Sequence, residues 1–321
     1  MSNVSPQMQQ QSMPRHEAWR LMYRNHRYCR HLTQVELNQR IRDVFLTLLS
    51  VTPEGKIGML AMEPAGVRWM ELWTHALEEM TLRFGPYPAG FTREILHKEP
   101  FPDLAGSLAA RASSALTHVS KAGVAIKFGK PEHMKALYER GALRVQSASY
   151  YRQPDHNGAI RDDELALEIS LAFDREQIVR VVSNPQDVPK ENVDQRIDIK
   201  YESKTDYWLY CLTTMVEPRL FVDFQAEACV VIKDPARFRD SLSKAMSPLV
   251  TSSLFRDGKV AYIDPLLPKT AIVDVPMSKH FRYAYQHEYR FAWLPAAPTW
   301  GLTHLDVEIG GMREYAELIT V

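Results

Sequence analysis

The chain has 321 residues, with 39 Lys+Arg against 39 Asp+Glu and a formal net charge of zero. That balance excludes a chain basic throughout, as a DNA-wrapping protein is, and a strongly acidic disordered one. At 45 % hydrophobic and 24 % charged residues the composition is that of a globular chain with room for a sizeable core.

The three cysteines, Cys29, Cys211 and Cys229, match no zinc spacing, and their odd number argues against a secreted disulfide framework. No run nears the roughly 18 apolar residues of a spanning helix. The start, MSNVSPQMQQQSMPRHE, lacks the apolar core of a secretory signal. Together these predict a cytoplasmic location with no membrane contact. Residues 1–14, rich in Gln, Ser and Met, are expected to be disordered.

Residues 15–121 read as a helical region. Helices are predicted over 15–31, over 33–50 with a Thr33/Glu36 capping box, over 65–83, and over 103–120 with Asp103 as cap. The character changes at Gly123. GVAIKFG is a strand candidate, PEHMKALYERG a helix opened by proline and closed by Gly141, and ALRVQSASYY a second strand. Further strands are predicted in LALEISLAF, QIVRVVS, RIDIKYES, DYWLYCLTT, EACVVIK, KVAYID, TAIVDV, EYRFAWL, HLDVEI and AELITV, with a short helix in PARFRDSLSKAM. The expected class is α+β: a helical N-terminal region, then a mixed or antiparallel β-rich domain over 122–321.

Four groups of residues can carry chemistry. Lys127 is a polar residue in an otherwise apolar strand, and Ser147, Ser149, Tyr150 and Tyr151 cluster after the second strand. Far downstream, in YAYQHEYRFAW, Gln286 and Glu288 stand two apart, so a strand would put both, and then Arg290, on one face. The bland alternative is an exposed amphipathic strand whose charges pair with their neighbours. The acidic run Asp162-Asp163-Glu164 reads as a solvated loop, and Cys211 as an inert core thiol. Asp198-Ile199-Lys200 and Glu202-Ser203-Lys204 have the D/E-x-K spelling of metal-dependent nucleases, and equally that of a charged edge strand. Seven arginines between residues 15 and 43, among them Arg20, Arg24, Arg27 and Arg30, are interleaved with Trp19, Tyr23 and Tyr28. This stripe suits nucleic acid or an acidic protein partner, or a solvated helix face over packed aromatics.

In order and setting, Lys127, Ser147 and Gln286-His287-Glu288 resemble the R/H–S/Y–E triad of ADP-ribosyltransferase-like proteins. Residues 126–152 and 283–290 also resemble uncharacterised bacterial families near phage-defence genes, with a late E-x-R. The resemblance covers about 124–294. It implies NAD as substrate, with Glu288 and Gln286 catalytic and Lys127, Ser147 and Tyr150 at the cofactor. Arg144 is an alternative cation, because Lys127 stands where the family has Arg or His. It further implies a toxin or defence effector. The other readings are a non-catalytic regulatory module contacting nucleic acid or protein, and a metal-dependent nuclease.

Overall fold

Caps and prolines set the helix limits. The structure, a computed structural model, describes residues 13–60, 64–91, 106–120, 122–173, 195–268 and 273–321. The expected disorder of residues 1–12, the Asp103 cap, the QIVRVVS strand and the start of TAIVDV lie outside the described residues.

Helix α1 (Arg15–Asn25) follows Pro14 and is shorter than predicted; residues 26–32 form turns that bury Tyr28, Cys29 and Leu32. Helix α2 (Gln34–Leu48) opens on the expected capping box, in which the Glu36 N–H donates to the Thr33 hydroxyl and the Thr33 N–H to the Glu36 carboxylate. A hairpin, β1 (Leu49–Val51) with β2 (Ile57–Met59), leads to α3 (Pro64–Phe84) and α4 (Ser107–Ala115). The apolar faces of α1, α2 and α3 share one core, which also takes in Phe281 and, at its edge, Leu266 and Leu267 from the second half. Trp69 stacks on Phe281 at 5.6 Å, and Arg40 forks onto Asp264 at 2.9 and 2.7 Å. The helical front is therefore joined to the β-rich part by packing and by a buried ion pair.

The second half opens with β3 (Ala125–Gly129), α5 (Pro131–Arg140) and β4 (Ala142–Ser147). Gly141 closes α5 at φ +70°, and a Cβ there would lie 2.2 Å from the Gly310 carbonyl, so only glycine fits. The predicted strand ALRVQSASYY stops at Ser147, and Ala148–Arg152 form a 3₁₀ turn. Next come a two-stranded antiparallel sheet, β5 (Ala166–Phe173) with β6 (Gln195–Glu202), then β7 (Trp208–Thr213), a short α6 (Arg219–Asp223), β8 (Ala228–Ile232) and α7 (Pro235–Met246). Strand β9 (Ser253–Lys259) precedes β10 (Ala261–Ile263), which pairs in parallel with β11 (Ser278–His280). The described part of TAIVDV runs into a 3₁₀ turn at Val275–Met277, not a strand. A second 3₁₀ segment, Phe281–Gln286, leads to β12 (Glu288–Pro295), and β13 (Leu305–Glu308) and β14 (Ala316–Thr320) follow.

The main sheet is antiparallel, in the order β13-β4-β7-β3-β8-β14, with β12 on the other edge of β7 and β9 beyond it. One edge of β7 is shared. β4 pairs with it at Trp208 and Leu209, and β3 only at Thr213. Where the two diverge, the Cys211 carbonyl is left without a strand partner, and the Lys127 ammonium takes it at 2.9 Å. This explains a lysine in an apolar strand. The class is α+β, as the sequence predicts.

Candidate functional site

A cleft of about 560 Å³ opens over this split in the sheet, lined among others by Lys127, Tyr150, Glu164, Lys279, Gln286 and Glu288. That size is usual for a small-molecule site. Two of its residues arrive by an unexpected route. Gln286 and Glu288 do not sit two apart on one strand: Gln286 ends a 3₁₀ segment, His287 adopts a left-handed conformation at φ 44°, and β12 begins at Glu288. The kink, uncommon in a non-glycine residue, turns both side chains into the cleft. Thr214 holds it, donating to the His287 carbonyl from its N–H at 2.9 Å and its hydroxyl at 3.1 Å.

Glu288 is not an exposed strand residue. It belongs to a buried cluster of charges. The Lys279 ammonium lies 3.3 Å from Glu288, 3.4 Å from Glu164, 4.0 Å from Asp162 and 3.2 Å from the Gln286 amide oxygen. The fully buried Arg290 lies 3.3 Å from Glu288 and 2.6 Å from Glu164, the latter an ion contact whose angle misses hydrogen-bond geometry. Arg290 also donates to the Pro276 and Ser278 carbonyls. Gln286 is fixed from its other side, its amide donating to the Ala159 carbonyl at 2.8 Å.

Three carboxylates thus meet two cations at contact distance, with Arg282 facing Asp162 from farther off. The surplus negative charge falls on Asp162, whose carboxyl is pushed up to about 6 by burial first and the Glu164 charge next. Glu288 goes the other way. Burial alone would raise it, but Arg290 and Lys279 hold it well below the usual carboxylate range. Lys279 remains an ammonium for the reciprocal reason: Glu288, Glu164 and Asp162 outweigh its burial. The cleft therefore holds a permanent carboxylate in a region with one negative charge to spare.

Aromatic and basic groups complete the lining. Tyr150, Tyr151, Phe128 and Phe224 contribute rings, and Tyr150 lies 4.5 Å from His156. Lys130, Glu132 and His133, from the first turn of α5, also line it, and no side chain caps that helix. Burial lowers Lys127, and only part of its donor capacity is used at Cys211.

The sequence-derived candidates divide accordingly. Lys127, Tyr150, Gln286 and Glu288 share the cleft. Ser147 does not line it; it is buried, with its hydroxyl 3.1 Å from that of Ser149, which donates to Asp206. Arg144 does not line it either, because alternation along β4 sends its side chain to the exposed surface and onto Asp306 at 2.8 Å. The run 162–164 is solvated only at Asp163, which is exposed and pairs with Arg152; Glu164 is buried and Asp162 nearly so. Cys211 is a cleft residue beside Glu288, although burial raises its thiol far above the reactive range. Asp198 pairs with Arg196, and Lys200 with Glu202; Asp198 and Lys200 line a separate cleft with Asp162 and Lys279. In the front stripe Arg20 and Arg24 pair with Glu78, and Arg27 with Glu79. Both acids are buried on α3, so these guanidiniums are half-exposed outer members of ion pairs within the chain, and the Arg30 carbonyl accepts from Arg83.

Sequence reasoning missed Lys279, and read Asp162 and Glu164 as solvated. A signal existed for the lysine: Val275-Pro276-Met277-Ser278-Lys279-His280-Phe281 places it in an apolar neighbourhood, where a cation needs an acid. Comparison of the chain with protein-family models, with curated proteins and with solved structures finds no match in any of the three.

Proposed function

We propose that the cleft is the site of an NAD-consuming enzyme of the ADP-ribosyltransferase-like type, with Glu288 as the catalytic carboxylate. The observation that carries the reading is the charge state of the cluster. Cleaving the nicotinamide–ribose bond sends its electron pair to the nicotinamide nitrogen and leaves positive charge on the ribose. A buried carboxylate held ionised, with a local negative surplus, stabilises that charge. Arg290 and Lys279 keep Glu288 deprotonated and fix its direction, while Gln286 lies beside it to orient substrate or acceptor. The rings of Tyr150 and Phe128 suit flat bases, and Lys127, Lys130 and His133 suit a diphosphate. Within this reading the chain acts as a toxin or defence effector on a protein or nucleic acid.

The test is incubation with labelled NAD and candidate acceptors, beside Glu288→Ala. The reading expects transfer or NAD loss that the substitution removes; activity that survives it would sink the assignment. A second reading, a module that binds without catalysis, is favoured by one observation: Glu288 is only 8 % exposed and already held by two cations. NAD binding without turnover would support that reading.

A further inference from the structure

A second cleft, of about 770 Å³, lies across the sheet from the first, and Leu212 and Glu288 border both. Alternation along two strands separates them. On β7, Cys211 and Thr213 line the first cleft, and just past its end Thr214 and Met215 line the second; on β12, Tyr289 and Phe291 line the second. The floor of the second is apolar, from Ala125, Leu212 and Phe291 of the main core. Its rim is different. Tyr262, Tyr289 and His287 contribute rings, and Lys259 and Arg239 contribute cations.

The charge of this rim is one-sided. Arg239 is forked onto Asp257 at 2.6 and 3.0 Å, so that pair is balanced. Lys259 is exposed and makes no ion pair among the described residues. Among the described lining residues Glu288 is the sole acid, and Lys279 and Arg290 hold its carboxylate. His287 adds no compensating charge. It sits beside Lys259, and burial together with that ammonium keeps its ring neutral. The cavity thus offers an uncompensated cation above an apolar floor, flanked by flat rings.

We propose that this second cleft binds a nucleotide-class ligand, with a phosphate at Lys259 and a base lodged against Tyr262, Tyr289 and Met215. An ammonium beside aromatic rings fits a ligand that carries an anion and a planar ring together. A purely aliphatic acid would leave the rings idle. The occupant also lies against the residues that hold the start of β12: the Tyr262 hydroxyl accepts from the Glu288 N–H at 2.8 Å, and the Val260 N–H donates to the Glu288 carbonyl at 3.0 Å. The proposal does not depend on NAD turnover in the first cleft, because it concerns binding alone.

The test is titration calorimetry of the full chain with AMP, adenosine, inorganic phosphate and a 5′-phosphorylated tetranucleotide. The variants are Lys259→Glu in the second cleft and Lys130→Glu in the first. Both side chains are exposed, so neither substitution disturbs the core. AMP or the tetranucleotide is expected to bind at a site weakened about tenfold or more by Lys259→Glu, and that site persists in Lys130→Glu, which reports only on binding in the first cleft. Adenosine and phosphate alone are expected to bind at least about tenfold more weakly than AMP. Equal affinity for AMP and the tetranucleotide would identify a strand end as an admissible source of the ligand, and AMP alone a free nucleotide. Absence of binding, or loss through Lys130→Glu in place of Lys259→Glu, would overturn the proposal.

Discussion

Replacing Asp162 with asparagine removes a buried carboxylate and is nevertheless expected to stabilise the fold. Asp162 faces Glu164, Lys279, Arg282, Arg290 and Tyr283; burial first and the Glu164 charge next push its carboxyl to about 6 from an ordinary 3.8, against the pull of the three cations. Between those values the native state holds more protons than the unfolded chain, so stability falls as pH rises and the cost is complete above pH 6. A gap of about two units, at about 1.36 kcal/mol each, gives roughly 3 kcal/mol. The asparagine escapes this cost while still accepting from the Asp163 N–H, which lies 3.0 Å from the carboxylate. Urea unfolding at pH 7.5 should give a higher midpoint for Asp162→Asn at unchanged slope, and the two curves should converge below pH 4. Equal or lower stability of the variant at pH 7.5 would refute the argument that holding Asp162 ionised at this buried place beside Glu164 costs stability.

Other substitutions probe the same structure. Lys279→Met leaves Glu164 and Glu288 with Arg290 alone and should cost about 3–5 kcal/mol in urea unfolding, the usual effect of stranding a buried charge. Asp264→Asn strips Arg40 of its buried partner. It should destabilise by a similar few kcal/mol and, read by hydrogen exchange, loosen α2 first. Arg24→Ala should cost less than about 1 kcal/mol, because Arg24 is half-exposed and Glu78 keeps Arg20; if the front stripe binds nucleic acid, the same change should weaken salt-sensitive retention. Burial pushes the Cys29 and Cys229 thiols up to about 12 and raises Cys211 well above its ordinary value, so native protein at pH 8 should react slowly with a disulfide reagent and release all three thiols on unfolding.

The legible part of this molecule was local. The Thr33/Glu36 box, the proline start and Gly141 end of α5, and the apolar runs of β3, β7 and β8 follow from short-range rules, and the structure keeps them. Gln286 and Glu288 were legible as partners but not in their geometry. A strand rule put them on one face, whereas a left-handed His287, held by Thr214 some 70 positions earlier, does so in fact. Asp162 and Glu164 looked solvated because their compensating cations, Lys279 and Arg290, lie more than 110 residues away, beyond any sequence window. Lys127 is anomalous in the sequence as a charged residue within an apolar strand. Its reason, a carbonyl orphaned where β3 and β4 part from β7, is a property of sheet topology.

The central claim is that an ionised Glu288 faces a cationic reaction centre. The direct measurement is the rate of nicotinamide release from NAD by the intact chain and by Glu288→Gln, which keeps the size and removes the charge. The account predicts release by the former and a loss of about 10²-fold or more in the variant, at matched binding of NAD. Release at equal rates from both proteins would contradict it.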